Sequence, residues 1–242
     1  MPSESQSETP PFIDELLTRL QSEAVRNPLQ LVHEFAQSGE SGLEALMKFL
    51  LERQAHPKSQ PMGVLEGTAY QILVKANTPS TQKFLQTHFP QGVVPLQSSN
   101  GIDYAPLQAL LAQQDFQAAD RLTLEKMCEL AGSATQKWFY FTAVQSFPTT
   151  DLQTINRLWL AHSEGKFGFS VQRELWLSLG KDWEKLWTQI DWKNGNNWTR
   201  YPQGFTWDLS APRGHLPLSN QLRGVRVMAA LLAHPAWSSP AP

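Results

Sequence analysis

The chain has 242 residues, 41% of them hydrophobic, and a formal net charge of −2 at neutral pH; this is a globular composition with room for one large core or two modest ones. Near-neutral charge excludes the global electrostatic pull that drives nucleic-acid binding. No apolar run approaches the ~20 residues needed to span a bilayer.

The N-terminal stretch MPSESQSETPP has neither a basic start nor an apolar core. It reads as neither a secretory signal nor an Arg-rich transit peptide, and residues 1–11 are expected to be a disordered lead. From residue 12 to 90 apolar residues recur at steps of three and four: Phe12, Leu16, Leu17 and Leu20; Leu29, Val32 and Phe35; Leu43, Leu46, Phe49 and Leu50. That period is amphipathic helix. Asn27-Pro28 and Thr78-Pro79 each read as an N-cap followed by proline in the first turn, and Gly39 reads as a stop. Five short helices are predicted, near 11–24, 28–38, 41–54, 61–76 and 79–88, stacked as an N-terminal bundle or an armadillo-like array.

The segment PQGVVPLQSSNG, residues 90–101, breaks the period with two prolines and two glycines. A linker is therefore expected at 91–100, followed by a second domain over 101–237 and a tail at 238–242. Composition shifts at the same place, because all nine tryptophans lie at Trp138 or beyond. Helices are predicted near 104–113 and 115–131, then over QKWFYFTAVQSF, which stops at Pro148. Asp151 is expected to cap LQTINRLWLAHS, Ser170 to cap VQRELWLSLG, and Asp182 to open DWEKLWTQID. A long loop follows from Lys193 to Gly214, before a final helix. No stretch alternates well enough for a sheet, so the predicted class is all-α. The single cysteine, Cys128, lies in LEKMCELAG beside Leu124, Met127 and Leu130 on a helix face. It reads as a buried core thiol, unable to form an internal disulfide or a CxxC metal site, in a reducing intracellular compartment. Asn197-Trp198-Thr199 matches a glycosylation sequon, with no secretion signal to bring it to the enzyme.

A loop of that length is more often functional than passive. It contains NNWTRYPQGFTWDLSAPRGH, in which Trp198, Tyr201, Phe205 and Trp207 supply flat apolar surface. After Asp191 the only acidic residue is Asp208, against Lys193, Arg200, Arg213, Arg223 and Arg226. In NQLRGVRV, Asn220, Arg223 and Arg226 recur at steps of three, so on a helix the two guanidiniums point roughly the same way. Leu222, Val225 and Ala229 fall on other faces, where they can pack, and Gly224 suggests a close approach to the backbone.

No glycine-rich phosphate loop, HExxH, GxSxG or paired zinc-ligand spacing is present. His215 and His234 read as hydrogen-bonding groups. Acidic residues near the aromatics are too sparse for a general acid and base pair, so no active site is expected. An aromatic surface with arginines suits a planar hydrophobic molecule carrying acidic groups. Single-stranded nucleic acid would call for more lysine and arginine. The residues alone leave packing open as well: Trp176, Trp183 and Trp187 sit at helical spacing and read as core, Phe141 in WFYFTAV fits a core equally, and either arginine can pair with Asp208 or cap a carbonyl.

The run DLQTINRLWLAHSEGKFGFSVQRELW, with NNWTRYPQGFTWDLSAPRGHLPLSNQLRGVRV, closely resembles the genomes-uncoupled family of porphyrin-binding regulators of magnesium chelatase. GIDYAPLQALLAQQDFQAADRLT resembles the start of that family's domain, and the likeness covers about residues 100–237. The N-terminal bundle is similar to the extra helical domain of cyanobacterial members. The resemblance implies a cupped, mostly helical domain that binds protoporphyrin IX and Mg-protoporphyrin IX without catalysis. It also implies that the protein stimulates magnesium chelatase in chlorophyll biosynthesis, with the large chelatase subunit as partner. By motif position, Asn220, Arg223 and Arg226 would meet the porphyrin, the arginines facing its propionates, and Phe141 would line the apolar surface. Val144, Trp198, Arg200, Tyr201 and Phe205 complete the candidate set; Tyr201 stands where some members have tryptophan. The chain ends at WSSPAP, without the longer extension of plant members, and shows no transit peptide, which implies the cyanobacterial type. A cytoplasmic monomer, peripheral to photosynthetic membranes and without nucleic acid, is the corresponding expectation. The rival reading is a helical scaffold whose aromatic surface binds only protein; a third is an enzyme acting on the porphyrin.

Overall fold

The structure is a computed structural model that describes residues 27–55, 62–135, 138–218 and 225–238. The expected lead and the helix at 11–24 lie outside the described residues, as do Asn220, Arg223, Gly224 and residues 239–242. Among the described residues there are eleven α-helices and one two-stranded ladder, so the class is all-α. No helix among them is long and apolar enough to cross a membrane.

The first four helices are α1 (Pro28–Gln37), α2 (Gly39–Ala55), α3 (Val64–Ala76) and α4 (Pro79–His88). Local chemistry sets their starts. Asn27 Oδ1 accepts the Gln30 N–H at 3.4 Å, and Thr78 Oγ1 accepts the Thr81 N–H at 3.2 Å, each ahead of a proline whose missing donor costs the helix nothing. Gly39, at φ +68°, turns the chain between α1 and α2. The apolar faces close on one another: Leu31, Val32 and Phe35 of α1 and Leu46, Phe49 and Leu50 of α2 are all buried.

The second part contains α5 (Ala105–Ala112), α6 (Phe116–Leu130), α7 (Phe141–Val144), α8 (Thr149–Ala161), α9 (Phe169–Ser178), α10 (Trp183–Gln189) and α11 (Val225–Leu232), with a short 3₁₀ turn at Pro235–Trp237. Four local expectations are corrected. Among the described residues the helix predicted over 136–147 is a single turn, because the chain is still extended at Tyr140, φ −79° and ψ 152°, with Phe139 buried and Tyr140 exposed. Asp151 does not cap α8, which begins at Thr149; it is buried in the first turn and accepts hydrogen bonds from Ser98 Oγ, the Ser99 N–H and the Tyr104 hydroxyl at 2.5, 2.9 and 2.9 Å. Ser170 is likewise inside α9, whose N-cap is Gly168; its N–H donates to Asn156 Oδ1 at 2.9 Å. Asp182 does cap α10, accepting the Lys185 N–H at 3.1 Å. The 193–214 segment is not wholly irregular, since β1 (Lys193–Asn194) pairs antiparallel with β2 (Asn197–Trp198).

Cys128 is buried and free, as its helix face implies. Trp159 sits at the centre of the second core, stacked on Phe116 at 6.0 Å, its indole N–H donating to Thr123 Oγ1 at 3.0 Å. Trp176, Trp183, Trp187 and Trp192 form a continuous pile with ring separations of 4.9, 5.2 and 5.4 Å.

α3 joins the two parts by packing against α8. Gln71 of α3 donates from Nε2 to the carbonyls of Leu111 and His162 at 3.0 and 2.8 Å. His162 is fully buried beside Tyr70, and burial holds its imidazole down to about 3, so the ring is neutral at physiological pH. His33 meets Glu164 across the same junction at 2.9 Å. Gly67 marks the closest approach: a Cβ there would stand 2.1 Å from the Ala161 carbonyl oxygen. Gly67→Ala is therefore expected to force α3 and α8 apart and to destabilise the chain by about 1–3 kcal/mol. Calorimetry would show this as a melting temperature lowered by several degrees, whereas an unchanged value would mean that the seam yields freely.

Candidate functional site

The long loop before α11 is ordered by side chains of its own, and by groups that neighbouring helices point at its backbone. His215 is buried and uses both ring nitrogens: Nδ1 pairs with the Ile190 carbonyl at 2.6 Å and Nε2 with the Thr206 N–H at 3.2 Å. A donor is required at Nδ1 and an acceptor at Nε2, which fixes one neutral tautomer; burial lowers the ring's pKa in keeping with this. Gln172 of α9 donates from Nε2 to the carbonyls of Gly214 and Pro217 at 3.0 and 2.9 Å. Trp192 donates to the His215 carbonyl at 2.8 Å, and Trp207 to that of Pro202 at 3.0 Å. His234 is a helix-end group, its Nδ1 accepting the Ala236 N–H at 3.1 Å.

This scaffold presents the candidate residues in three groups. Tyr201 and Phe205 lie 6.4 Å apart around Trp207; Phe205 is buried against His215, and Tyr201 is 43% exposed. Trp198, 46% exposed, leans on Trp187 within the indole pile, with Lys193 Nζ 5.5 Å above its ring. Arg200 is exposed between these two groups, its carbonyl accepting the Gly204 N–H at 2.7 Å.

In the third group α7 packs against α11. Val144 is fully buried, Phe141 is half-buried, and the Arg226 guanidinium lies 5.6 Å over the Phe141 ring. Arg226 is exposed, and among the described residues no carboxylate lies within ion-pair distance of it. Asp208 turns instead to its own loop, accepting the Ser210 N–H at 2.7 Å, and Arg213 pairs with Glu174 at 2.6 Å. Val225, expected to pack, is 40% exposed beside Arg226, and Tyr140 is 65% exposed beside Phe141. Tyr140 was not singled out from the sequence; its hint was a run of four aromatics in WFYF, more than one helical turn can bury. Among the described residues no ring contact joins Phe141 to Trp198 or Tyr201.

Asp120 of α6, also not singled out from the sequence, links two of these regions. It is buried, and its Oδ1 accepts the Leu218 N–H at 2.6 Å, directly before the segment that carries Asn220 and Arg223. Burial pushes its carboxyl up to about 7, against the opposing effect of the Leu218 bond. Burial raises the Tyr201 phenol as well; the Asp120 charge adds to that rise and Arg121 offsets it. No group of three His, Cys, Asp or Glu among the described residues is placed to hold a metal ion. The exposed surface thus offers aromatic faces and a guanidinium uncompensated among the described residues, the chemistry of apolar stacking combined with anion binding.

Because the Asp120 carboxyl holds its proton more tightly in the fold than at its ordinary value of 3.8, the stability it contributes is full below pH ~4 and lost as pH rises through about 7. Asp120→Asn keeps an acceptor for Leu218 and cannot ionise. It is expected to melt close to the parent protein at pH 5 and above it at pH 8.5; equal melting temperatures at both would remove Asp120 from this role.

Residues 97–235 match the family model described as GUN4-like, and residues 4–90 match the ARM-like repeat domain, GUN4-N terminal. The chain is 49% identical over 228 residues to a Ycf53-like protein of Synechocystis sp., covering 93% of this chain and 97% of that one. It is 35% identical over 144 residues to the chloroplastic tetrapyrrole-binding protein of Arabidopsis thaliana, covering 55% and 54% of the two chains. The solved structure of GUN4 from Chlamydomonas reinhardtii superimposes with a TM-score of 0.57 at 40% identity, covering 60% of this chain and 95% of that one. With both parts of its length matched in this way, the chain belongs to the GUN4 family, in the two-part form of its cyanobacterial relative.

Proposed function

We propose that the protein is a non-catalytic tetrapyrrole-binding regulator, which takes up protoporphyrin IX and Mg-protoporphyrin IX and stimulates magnesium chelatase in chlorophyll biosynthesis by docking on the enzyme's large subunit. The observation that carries the reading is the pairing of Arg226 with Phe141 on an exposed apolar surface, a cation free of carboxylate partners among the described residues. A tetrapyrrole is a wide apolar disc with acidic side chains at one edge. In this reading the disc lies against Phe141 and the surface backed by Val144, its propionates meet Arg223 and Arg226 with Asn220 beside them, and Trp198, Arg200, Tyr201 and Phe205 belong to the flanking wall. Membership of the GUN4 family and the name of the Arabidopsis relative support it. The protein acts as a cytoplasmic monomer, peripheral to photosynthetic membranes.

Titration with protoporphyrin IX should give a red-shifted Soret band and quenched tryptophan emission. A charge-assisted bond to a carboxylate contributes roughly 1.5–3 kcal/mol, so Arg226→Ala should weaken binding by about ten- to a hundred-fold. Its melting temperature should barely move, because an exposed arginine holds no core. Esterifying the propionates isolates the contact: the ester should bind parent and variant alike. If the variant loses the same factor for acid and ester, the arginine does not read the propionates; if neither spectrum changes on titration of the parent, the carrier reading fails.

We also infer that residues 12–90 form a brace and 101–237 the binding domain, with 91–100 as the link. The Chlamydomonas structure, 95% covered by a match to 60% of this chain, supports that division. A chain beginning at Gln97 is expected to bind tetrapyrrole with a lowered melting temperature, since it loses the α3 seam. Loss of binding with helical circular dichroism intact would make the bundle part of the site.

A further inference from the structure

A cavity of about 330 Å³ lies between α8 and α9 and is bordered by the Pro235–Trp237 turn. None of the residues proposed for tetrapyrrole binding lines it. Two arginines do. Among the described residues Arg157 of α8 makes long bonds alone, from Nε to the Gln153 carbonyl and from Nη2 to Gln97 Oε1, both at 3.4 Å. Arg173 of α9 donates from Nε to the Leu232 carbonyl at 3.1 Å. Among the described residues no carboxylate lies within ion-pair distance of either; Glu174, on the rim, is taken by Arg213. Burial also lowers the pKa of Arg157, as expected of a desolvated cation with no counter-charge.

The remaining polar groups of the cavity have defined orientations. Asn156 Oδ1 accepts the Ser170 N–H, which turns its Nδ2 to donate to Ser170 Oγ at 3.0 Å. Ser170 therefore has its own hydroxyl proton to give. Gln153 is held the opposite way round: Nε2 donates to the Ala236 carbonyl at 3.0 Å, and its buried Oε1 has no hydrogen-bond partner among the described residues. A buried acceptor left unpaired is costly, so this oxygen calls for an O–H or N–H from whatever fills the space. Leu177 and Trp237 supply the apolar walls.

We propose that this cavity is a second ligand site, distinct from the tetrapyrrole surface, for a compact oxyanion that carries its own O–H. The anionic oxygens sit between the Arg157 and Arg173 guanidiniums with the Ser170 hydroxyl, and the O–H donates to Gln153 Oε1. Monohydrogen phosphate and a hydroxycarboxylate share that chemistry. Arginine's planar fork suits both, and the cavity's volume lies at the small end of the ~300–1,000 Å³ usual for ligand sites.

The test titrates the full chain with sodium phosphate and, separately, sodium malate, against sodium chloride at matched ionic strength, and follows the arginine Nε–H resonances by NMR. Saturable shifts of the Arg157 and Arg173 signals with one of the two anions are expected, and the responding arm identifies the source. Arg157→Gln should weaken that binding roughly ten- to a hundred-fold, while Arg157→Lys, keeping charge without the fork, should recover part of it. Tetrapyrrole affinity should be the same in all three proteins, and this separates the proposal from the tetrapyrrole reading, which the Soret titration tests alone. Shifts that never saturate, that chloride reproduces, or that survive Arg157→Gln mean an adventitious ion only and overturn the site. A parallel loss of tetrapyrrole affinity overturns its independence. Should Arg157→Gln misfold by circular dichroism, the same comparison is made with Arg157→Lys, for which undiminished affinity overturns the role of the fork.

Discussion

Gln108, Asp120, Asp151, Gln172 and His215 are buried polar side chains, and each is bonded to backbone in a connection that no helix or sheet completes. The chain between α4 and α5 has its Val94 N–H bound by Gln108 Oε1 at 2.9 Å, its Ser99 N–H by Asp151, and its Gln97 carbonyl by Thr154 Oγ1 at 2.8 Å. The chain between α10 and α11 is held by His215, Gln172 and Asp120 in the same manner. Buried backbone donors and acceptors must be paired, and a connection this long meets that requirement by borrowing partners from helices already packed and, through His215, from within itself. The helices therefore place the loops, and the loops place the candidate binding residues.

That dependence separates two kinds of aromatic residue. Trp192, Trp207 and Phe205 are tied into the scaffold through indole hydrogen bonds or ring contacts with His215. Tyr140, Phe141, Trp198 and Tyr201 retain exposed or half-exposed faces supported from behind by that scaffold. A flat ligand gains from such a surface because the rings are held before it arrives, and little ordering entropy remains to be lost on binding.

The arginines divide similarly. Arg213 is neutralised by Glu174, whereas Arg226 lies over an aromatic ring and Arg157 and Arg173 face a cavity without a nearby counter-ion among the described residues. In a chain of net charge −2 such exposed or cavity-facing guanidiniums are local features that the overall balance hides. Arg226 is open to water and keeps its hydration; Arg157 is partly stripped of it, so an anion there would meet a less screened charge.

The sequence by itself determined the all-α class, the starts of the helices capped by Asn27, Thr78 and Asp182, the buried Cys128, and His215 and His234 as hydrogen-bonding groups. Each depends on spacing within one turn or on a side chain reaching its own backbone, which is local chemistry. The four-aromatic run at 138–141 carried an apolar signal without saying that Phe139 would turn in and Tyr140 out. Asp151 and Ser170 looked like caps, since a polar residue ahead of an apolar run looks the same whether its partner is its own helix or a distant loop. Val225 was expected to pack and is exposed, because helical spacing gives the direction of a face but not what lies opposite. Only the tertiary structure decided that Asp120 and Gln153, unexceptional polar residues on their helices, would be buried, one holding Leu218 and the other facing a cavity. Burial is a property of the packed neighbours, and those come from parts of the chain some ten to a hundred residues away.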